Sequence, residues 1–149
     1  MKGLKLKIKK LEREAVLPDY AYQGDAGLDL YANIDILIKP SEREIISTGV
    51  AMEIPEGFVG LIWDKSSLGI REVLKTLGGV IDSGYRGEIK VGIINLSKKD
   101  FQISKGQKIA QMIIQKKENV IVEEVENLSE SERNERRFGS SDDKEAIRG

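Results

Sequence analysis

The chain has 149 residues, with 24 basic and 25 acidic side chains and neither histidine nor cysteine. Its length suits one domain, and 40% hydrophobic with 33% charged residues is typical of a folded protein. The two missing residue types exclude nucleophile systems that need them, structural zinc sites and disulfides. A general base must therefore be a carboxylate, a lysine or a tyrosine, and any metal a hard cation bound by oxygen, with Mg²⁺ the first candidate.

The net charge of −1 gives no indication of nucleic-acid binding. The longest apolar stretches have five or six residues. A membrane-spanning helix needs roughly 20, so we expect no membrane segment. The start of the chain alternates lysine with leucine or isoleucine and has no continuous apolar region. We therefore expect no targeting segment and a cytoplasmic protein.

The dominant hydrophobic period is two residues, which predicts short strands, the first of them alternating Leu4, Leu6 and Ile8 with lysines. Turn residues separate the other candidates, and only Glu72–Leu77 suggests a short helix. This pattern predicts an all-β sandwich, barrel or jelly roll. The further strand candidates are Leu28–Ala32, Ile34–Ile38, Glu44–Ser47, Val50–Ile54, Phe58–Trp63, Glu88–Leu96, Gln107–Gln115 and Val120–Val125.

The composition changes near the C-terminus. Residues 123–149 carry a net charge of −4 and few large apolar side chains, whereas residues 1–122 carry +3. A segment of that composition cannot bury enough surface to fold alone. We therefore predict a β-barrel domain over residues 1–125 and a flexible arm over residues 126–149.

The segment Gly24–Leu30 places two aspartates on either side of a glycine where a strand begins. Turn chemistry explains Asp25, because an aspartate carboxylate commonly bonds to nearby backbone. The functional alternative makes Asp29 an anchor, through water, for Mg²⁺, which keeps several waters and takes few protein ligands. The spacing alone favours the turn.

Lys65, Ser66 and Ser67 follow the candidate strand that ends at Trp63. A lysine offers a point charge to a phosphate, and hydroxyl and loop N–H groups offer hydrogen bonds. The spacing is not that of a Walker A loop. A polar surface loop with an exposed lysine is an equally good interpretation.

The stretch Gly78–Glu88 is the most informative, with adjacent glycines, an aspartate after an apolar pair and a tyrosine three residues later. Glycines allow a ligand to approach the backbone closely. We expect Asp82 to be partly buried beside Val80 and Ile81 and to act as a general base, with Tyr85 as a flat surface. A plain hairpin with a Ser-Gly turn is the alternative.

Two further positions carry polar or aromatic chemistry in unusual surroundings. Gln111 lies among apolar residues of a candidate strand, where an amide is more often a satisfied core group than a ligand donor. Phe138 is a lone aromatic in the arm, followed by small polar residues. An aromatic side chain in such a segment can dock on a flat partner such as a nucleobase.

Taken in order, these segments resemble the five motifs of the trimeric dUTP diphosphatases (dUTPases), from about residue 24 to residue 141. That resemblance implies a jelly-roll-like β-barrel and a homotrimer with active sites between subunits, where a mobile C-terminal arm closes over the site of another subunit. It implies Mg²⁺-dependent hydrolysis of dUTP to dUMP and pyrophosphate, which removes dUTP and supplies dUMP for thymidylate synthesis. The matching segments are Ala26–Ala32, Lys65–Leu68, Gly79–Gly87, Gly106–Met112 and Phe138–Ser141.

The resemblance also implies roles for single residues. Asp82 would activate the water that attacks the α-phosphorus, and Asp29 would hold, through water, the Mg²⁺ that chelates the triphosphate. Tyr85 would pack on the deoxyribose and exclude a 2′-hydroxyl. The residues implied to read the uracil edge with their backbone are Gly79, Val80 and Ile81.

Contacts with the phosphates and the base are implied for three further motifs. Lys65 would take the place of the family's arginine, and Gln111 would bind the α-phosphate. Phe138 of the arm would stack on the uracil. The remaining implied substrate contacts are Ser66, Ser67, Arg133, Gly139, Ser140 and Ser141.

Several departures from the family pattern leave two alternatives open. Lys65 cannot form arginine's bidentate fork, Thr76 stands where an asparagine is usual, and the fifth motif has lost glycines. One alternative is a dCTP deaminase or a bifunctional relative. Those enzymes place a catalytic glutamate shortly after a stretch that corresponds to residues 87–91, whereas here Gly92 follows and that glutamate is missing. The other alternative is a non-catalytic nucleotide-binding trimer, because the altered fifth motif could weaken closure of the arm.

Overall fold

The structure, a computed structural model, describes residues 3–139, 141 and 142. The described residues form an all-β fold of antiparallel strands, which confirms the predicted fold class. The strands, in chain order, are β1 Lys7–Lys10, β2 Leu28–Tyr31, β3 Ile36–Ile38, β4 Arg43–Glu53, β5 Phe58–Trp63, β6 Leu74–Leu77, β7 Val80–Ile81, β8 Glu88–Asn95, β9 Phe101–Ile103 and β10 Lys108–Lys116.

The strands form two four-stranded sheets and one pair. The first sheet has the order β1-β4-β8-β6, the second has the order β2-β10-β5-β7, and β3 pairs with β9. In β8, Ile89, Val91 and Ile93 are buried while Lys90 between them is exposed. The same alternation in other strands builds a core rich in isoleucine, which is why a period of two residues encoded this fold.

The predicted strands and helix differ from the observed ones where pairing with another strand determines the conformation of a segment. The strand Phe58–Trp63 is confirmed at both ends, whereas the two candidates between residues 44 and 54 form the single strand β4. The predicted helix Glu72–Leu77 is wrong. Leu74–Leu77 is strand β6, with alternate residues buried because it pairs with β8, and a single π-helical turn lies earlier, at Ser67–Arg71.

The chain divides into two units, Met1–Asn119 and Val120–Gly149. In the second unit, residues 120–125 were expected to form a strand, but they are exposed and form none. The proposed domain boundary after residue 125 stays a prediction. In residues 3–139, 141 and 142, no helix has the length and apolar character that crossing a bilayer requires.

Candidate active site

Asp29 lies on β2 with only 2% of its surface exposed, and two lysines neutralise it. Lys65 donates a hydrogen bond to Oδ1, and Lys108 Nζ lies 2.9 Å from Oδ2. Burial disfavours the charged carboxylate, but the two lysines overcome that effect and hold the pKa of Asp29 below its usual value. Asp29 in turn raises the pKa of Lys108. Asp29, Lys65 and Lys108 are called the lysine cluster below.

Gln111 lies directly beside the lysine cluster. In the register of the second sheet it is opposite Asp29 on one side and Trp63 on the other. Its Nε2 donates a hydrogen bond of 2.8 Å to the carbonyl oxygen of Asp64, and a Cβ atom at Gly27 would collide with its Oε1. Backbone on two neighbouring segments therefore fixes the orientation of this amide.

Ser66 and Ser67 are exposed at the start of the π-helical turn, and the carboxylate of Asp64 braces the chain just before them. Thr76 donates to Asp64 Oδ1 from its backbone nitrogen at 2.7 Å and from its hydroxyl at 2.8 Å. Burial opposes the charge on Asp64, but Lys75 and Thr76 more than compensate and lower its pKa. A cavity of about 410 Å³ opens beside Ser66 and Gln111.

Strand β7 and the turn that follows it form a second group of site residues. Val80, Ile81, Asp82 and Tyr85 line a cavity of about 190 Å³, together with Glu88 and Lys90. Asp82 is exposed, so the partial burial expected from the sequence is not present within this chain. These four residues, Val80, Ile81, Asp82 and Tyr85, are called the hairpin cluster below.

Hydrogen bonds hold both ends of the hairpin cluster. The carbonyl of Gly79 accepts a hydrogen bond of 2.8 Å from Ile62, which fixes the chain to β5. Tyr85 Oη donates to the carbonyl oxygen of Glu88 at 2.9 Å. The ring of Tyr85 packs so closely over Gly87 that an added Cβ there would lie 2.7 Å from Cζ.

Sequence reasoning missed two residues at these sites. The carboxylate of Glu88 accepts hydrogen bonds from Ser47 Oγ and from the backbone nitrogen of Gly49, the latter at 3.0 Å. Its partners lie some 40 residues earlier in the chain, so no local pattern could reveal them. Lys108 lies inside the fourth motif, and a basic residue three positions before Gln111 was the available signal.

The two clusters are not brought together within one chain. Ile81 pairs with Gly60 on β5, whereas Gln111 pairs with Trp63 on the opposite side of that strand. Three residues along a strand and two strand spacings separate Ile81 from Gln111, which places the Cα atoms of these two residues about 14 Å apart. Asp29 pairs with Gln111 from the far side of β10 and so lies one strand farther from Ile81. The hairpin cavity and the lysine cluster are therefore separate features of a single copy.

The arm residues belong to the second unit. Arg133, Gly139 and Ser141 are exposed, and the ring of Phe138 is fully exposed. Arg133 Nε donates to the carbonyl oxygen of Arg136 at 3.1 Å within a tight turn. Ser140, also predicted to contact substrate, lies outside the described residues.

Among the described residues, no group of three or more acidic side chains could hold a metal ion. Asp29 offers a different donor set, because its buried Oδ2 accepts no hydrogen bond of normal geometry despite the nearby lysine. One carboxylate suits a hydrated Mg²⁺ that takes its other ligands from substrate phosphates. The residues present thus fit a metal that arrives with phosphates, and they do not form a cage of protein ligands.

A family model described as dUTPase matches residues 13–142 of the chain. The chain is 46% identical over 140 residues to a deoxyuridine 5'-triphosphate nucleotidohydrolase of Clostridium kluyveri, covering 93% of this chain and 98% of that protein. It is 47% identical over 139 residues to the protein of the same name from Corynebacterium glutamicum, covering 91% and 93%. Sequence similarity therefore extends across both clusters and into the arm.

Solved structures give the same result. The chain is similar to a mutant dUTPase of Staphylococcus bacteriophage 80alpha with dUpNHpp, with a TM-score of 0.86, 30% identity and coverage of 92% of this chain and 98% of that one. It is also similar to a mutant dUTPase from phage phi11 of S. aureus that coordinates a structural Mg(II) ion, with a TM-score of 0.78, 27% identity and coverage of 83% and 98%.

Proposed function

This chain belongs to the dUTPase family, and on that premise we propose that it hydrolyses dUTP to dUMP and pyrophosphate with Mg²⁺ as cofactor. The observation that carries the proposal is the hairpin cavity, which Asp82, Tyr85 and the backbone of β7 line together. Because histidine and cysteine are absent, a carboxylate can serve as the general base. The ring of Tyr85 and the backbone groups of β7 are available to bind the nucleotide beside it.

The position of β7 supports recognition of the uracil edge by backbone groups. This strand is at the end of the order β2-β10-β5-β7 and pairs only with β5 in that sheet. An edge strand presents N–H and C=O groups that lack partners. In the proposal, the backbone of Gly79, Val80 and Ile81 reads uracil through such groups, and Tyr85 packs on the deoxyribose and excludes a 2′-hydroxyl.

Charge and hydrogen-bond donors support phosphate binding at the other cluster. Lys65 is half-buried, so its ammonium group acts in a less polar environment than bulk water. In the proposal, Lys65 takes the place of the family's arginine, Ser66 contacts the phosphates near the leaving group, and Ser67 is a further substrate contact. Gln111, whose carboxamide is already oriented by Asp64, binds the α-phosphate.

The reaction follows from these placements. Asp82 accepts a proton from a water molecule, whose oxygen forms a bond to the α-phosphorus. The bond from that phosphorus to the bridging oxygen breaks, and pyrophosphate leaves. Asp29 would hold Mg²⁺ through water, and the metal would neutralise charge on the triphosphate. Such phosphoryl transfer depends mainly on positioning and electrostatics.

The separation of the two clusters supports an active site built between copies, and the resemblance to the trimeric dUTPases supports a homotrimer. Because the hairpin cluster and the lysine cluster lie apart in one copy, a complete site needs the hairpin of one copy beside the lysine cluster of another. In the proposal, the arm closes over the site of another copy, with Phe138 stacked on uracil. The arm residues proposed near the distal phosphates are Arg133, Ser140 and Ser141, and Gly139 is a further proposed substrate contact.

One assay tests the function. The protein is incubated with each deoxynucleoside triphosphate and with UTP, with and without Mg²⁺, and the products are resolved. We expect dUMP and pyrophosphate from dUTP in the presence of Mg²⁺. Ammonia release from dCTP would instead indicate the deaminase alternative, and nucleotide binding without any turnover the non-catalytic one. Failure to form dUMP and pyrophosphate would refute the proposal.

A further inference from the structure

Asp29 is flanked by two ammonium groups, although it is the carboxylate proposed to hold the metal. Its side chain is 3% exposed, and Lys65 and Lys108 approach different oxygens. A carboxylate this buried must have a cation beside it, because an unpaired buried charge is strongly destabilising. In this structure Lys65 and Lys108 supply that positive charge. The proposed function gives Lys108 no role.

The two lysines can also reach solvent. The side chain of Lys65 is 25% exposed and that of Lys108 is 44% exposed, so each long stem can swing its ammonium group outward. Two ammonium groups face one carboxylate, so the lysine cluster by itself carries one excess positive charge. A triphosphate offers several anionic oxygens in exchange for a single carboxylate.

We propose that Lys65 and Lys108 exchange Asp29 for the phosphates of the nucleotide, and that this exchange opens Asp29 to the metal. Lys108 is thereby a second phosphate-binding lysine and, in the free protein, a competitor of the metal. The inference rests on the proposed function, which assigns the metal to Asp29 and the triphosphate to this cluster.

The exchange has a thermodynamic consequence. Once the phosphates draw the lysines away, Asp29 is left without a cation unless a metal enters, so the two events are coupled. Coupling of this kind is reciprocal: nucleotide and metal raise each other's affinity by the same factor. Free metal binds weakly in the absence of phosphates because both ammonium groups already lie against the carboxylate and neutralise it.

The test is Lys108→Met in the full-length protein, since methionine keeps most of the apolar stem and removes the charge. Two affinities are measured: that of Mn²⁺ alone, and that of tripolyphosphate in metal-free buffer. Trp63 is the single tryptophan of the chain and pairs with Gln111, so its fluorescence reports binding at this cluster. We expect Mn²⁺ to bind about tenfold more tightly and tripolyphosphate about tenfold more weakly, a coupling of ordinary size.

Lys105→Met is the matched control. Lys105 lies three residues earlier, is similarly exposed and pairs with Glu14 at 2.5 Å, away from Asp29. Both affinities should stay at the wild-type value in this variant. If Lys108→Met unfolds at a lower temperature than the wild type, Lys108→Gln and the charge-preserving Lys108→Arg are compared instead. Relative to Lys108→Arg, Lys108→Gln should bind Mn²⁺ more tightly and tripolyphosphate more weakly.

Shifts of the two affinities in the same direction overturn the exchange, and so does no gain in Mn²⁺ affinity, including the case in which neither protein binds Mn²⁺ measurably. These measurements need no hydrolysis. Opposite shifts in a protein that does not hydrolyse dUTP would support the exchange and refute the proposed activity. Hydrolysis of dUTP without opposite shifts would support the proposed activity and refute the exchange.

Discussion

The carboxamide of Gln111 is tied to the backbone of Asp64 by a hydrogen bond of 2.8 Å, from Nε2 to the carbonyl oxygen. This bond crosses from β10 to the residue that follows β5, where the proposed phosphate loop begins. It uses one proton on Nε2 of Gln111 and leaves the second Nε2 proton and Oε1 for a ligand. The orientation of a proposed substrate contact is thus built into the sheet before any nucleotide binds.

Gln111→Glu should lower kcat/KM for dUTP about 100-fold, which corresponds to about 2.7 kcal/mol of transition-state stabilisation. The new carboxylate repels both the α-phosphate and the carbonyl oxygen of Asp64. Steady-state kinetics provide the measurement. Gln115→Glu is the control, because Gln115 is exposed farther along the same strand and should leave kcat/KM unchanged. Equal losses in both variants would contradict a specific role for Gln111.

Asp82→Asn should lower kcat by about 100- to 10,000-fold, the usual contribution of a general base, while nucleotide affinity is kept. The amide fills the same space but cannot accept the proton of the attacking water. Single-turnover kinetics and equilibrium binding of a non-hydrolysable dUTP analogue separate the two effects. Asp100→Asn, at an exposed loop position, is the control. Normal turnover in Asp82→Asn would remove Asp82 as the base.

Gly87→Ala should impair selection of the deoxyribose. The added Cβ would lie 2.5 Å from Tyr85 Oη and 2.7 Å from Cζ, so the ring must move. We expect a KM for dUTP raised about tenfold and weaker discrimination against UTP, measured as a ratio of kcat/KM values. Gly84→Ala is the control, because a Cβ there meets nothing within 4 Å. An unchanged ratio in Gly87→Ala would show that the position of Tyr85 does not set sugar selectivity.

Removal of residues 128–149 should abolish most dUTP hydrolysis and leave the unfolding temperature of the barrel nearly unchanged. The deletion removes Phe138 and the basic residues near it, whereas the first unit, Met1–Asn119, keeps its own core. Activity and thermal unfolding are compared with the full chain. Phe138→Ala and Phe138→Trp refine the result, since only the tryptophan preserves stacking on a base. Full activity in the truncated protein would make the arm dispensable.

Acid should destabilise the fold through Asp64. Its pKa in the folded chain lies below the ordinary value of 3.8, so its contribution to stability is complete above that pH and is lost as the pH falls through the folded-state pKa. Asp64→Asn should cost about 1–3 kcal/mol near neutral pH and flatten the acid limb of the stability curve. Urea unfolding between pH 2 and about pH 7 tests this, with Asp100→Asn as the control. Parallel curves for Asp64→Asn and the wild type would contradict the assignment.

Local pattern predicted much of the fold because strands need only a period of two residues and turn residues between them. Phe58–Trp63 was predicted at both ends, where glycine and proline mark the boundary on one side and the motif loop on the other. The prediction of a helix at Glu72–Leu77 was wrong because the conformation of a short segment is ambiguous until its pairing partner is known. Pairing with β8 decided that Leu74 and Thr76 face inward.

The sequence by itself determined an all-β chain without histidine or cysteine chemistry, and the order of its motifs placed Asp29, Lys65, Asp82 and Gln111 among the candidates. Those conclusions depend on residue type and spacing, which are local. Only the tertiary structure decided that Lys108 shares Asp29 with Lys65 and that the hairpin cluster lies apart from the lysine cluster. Both facts arise from strand order and register, because pairing brings together residues that are far apart along the chain.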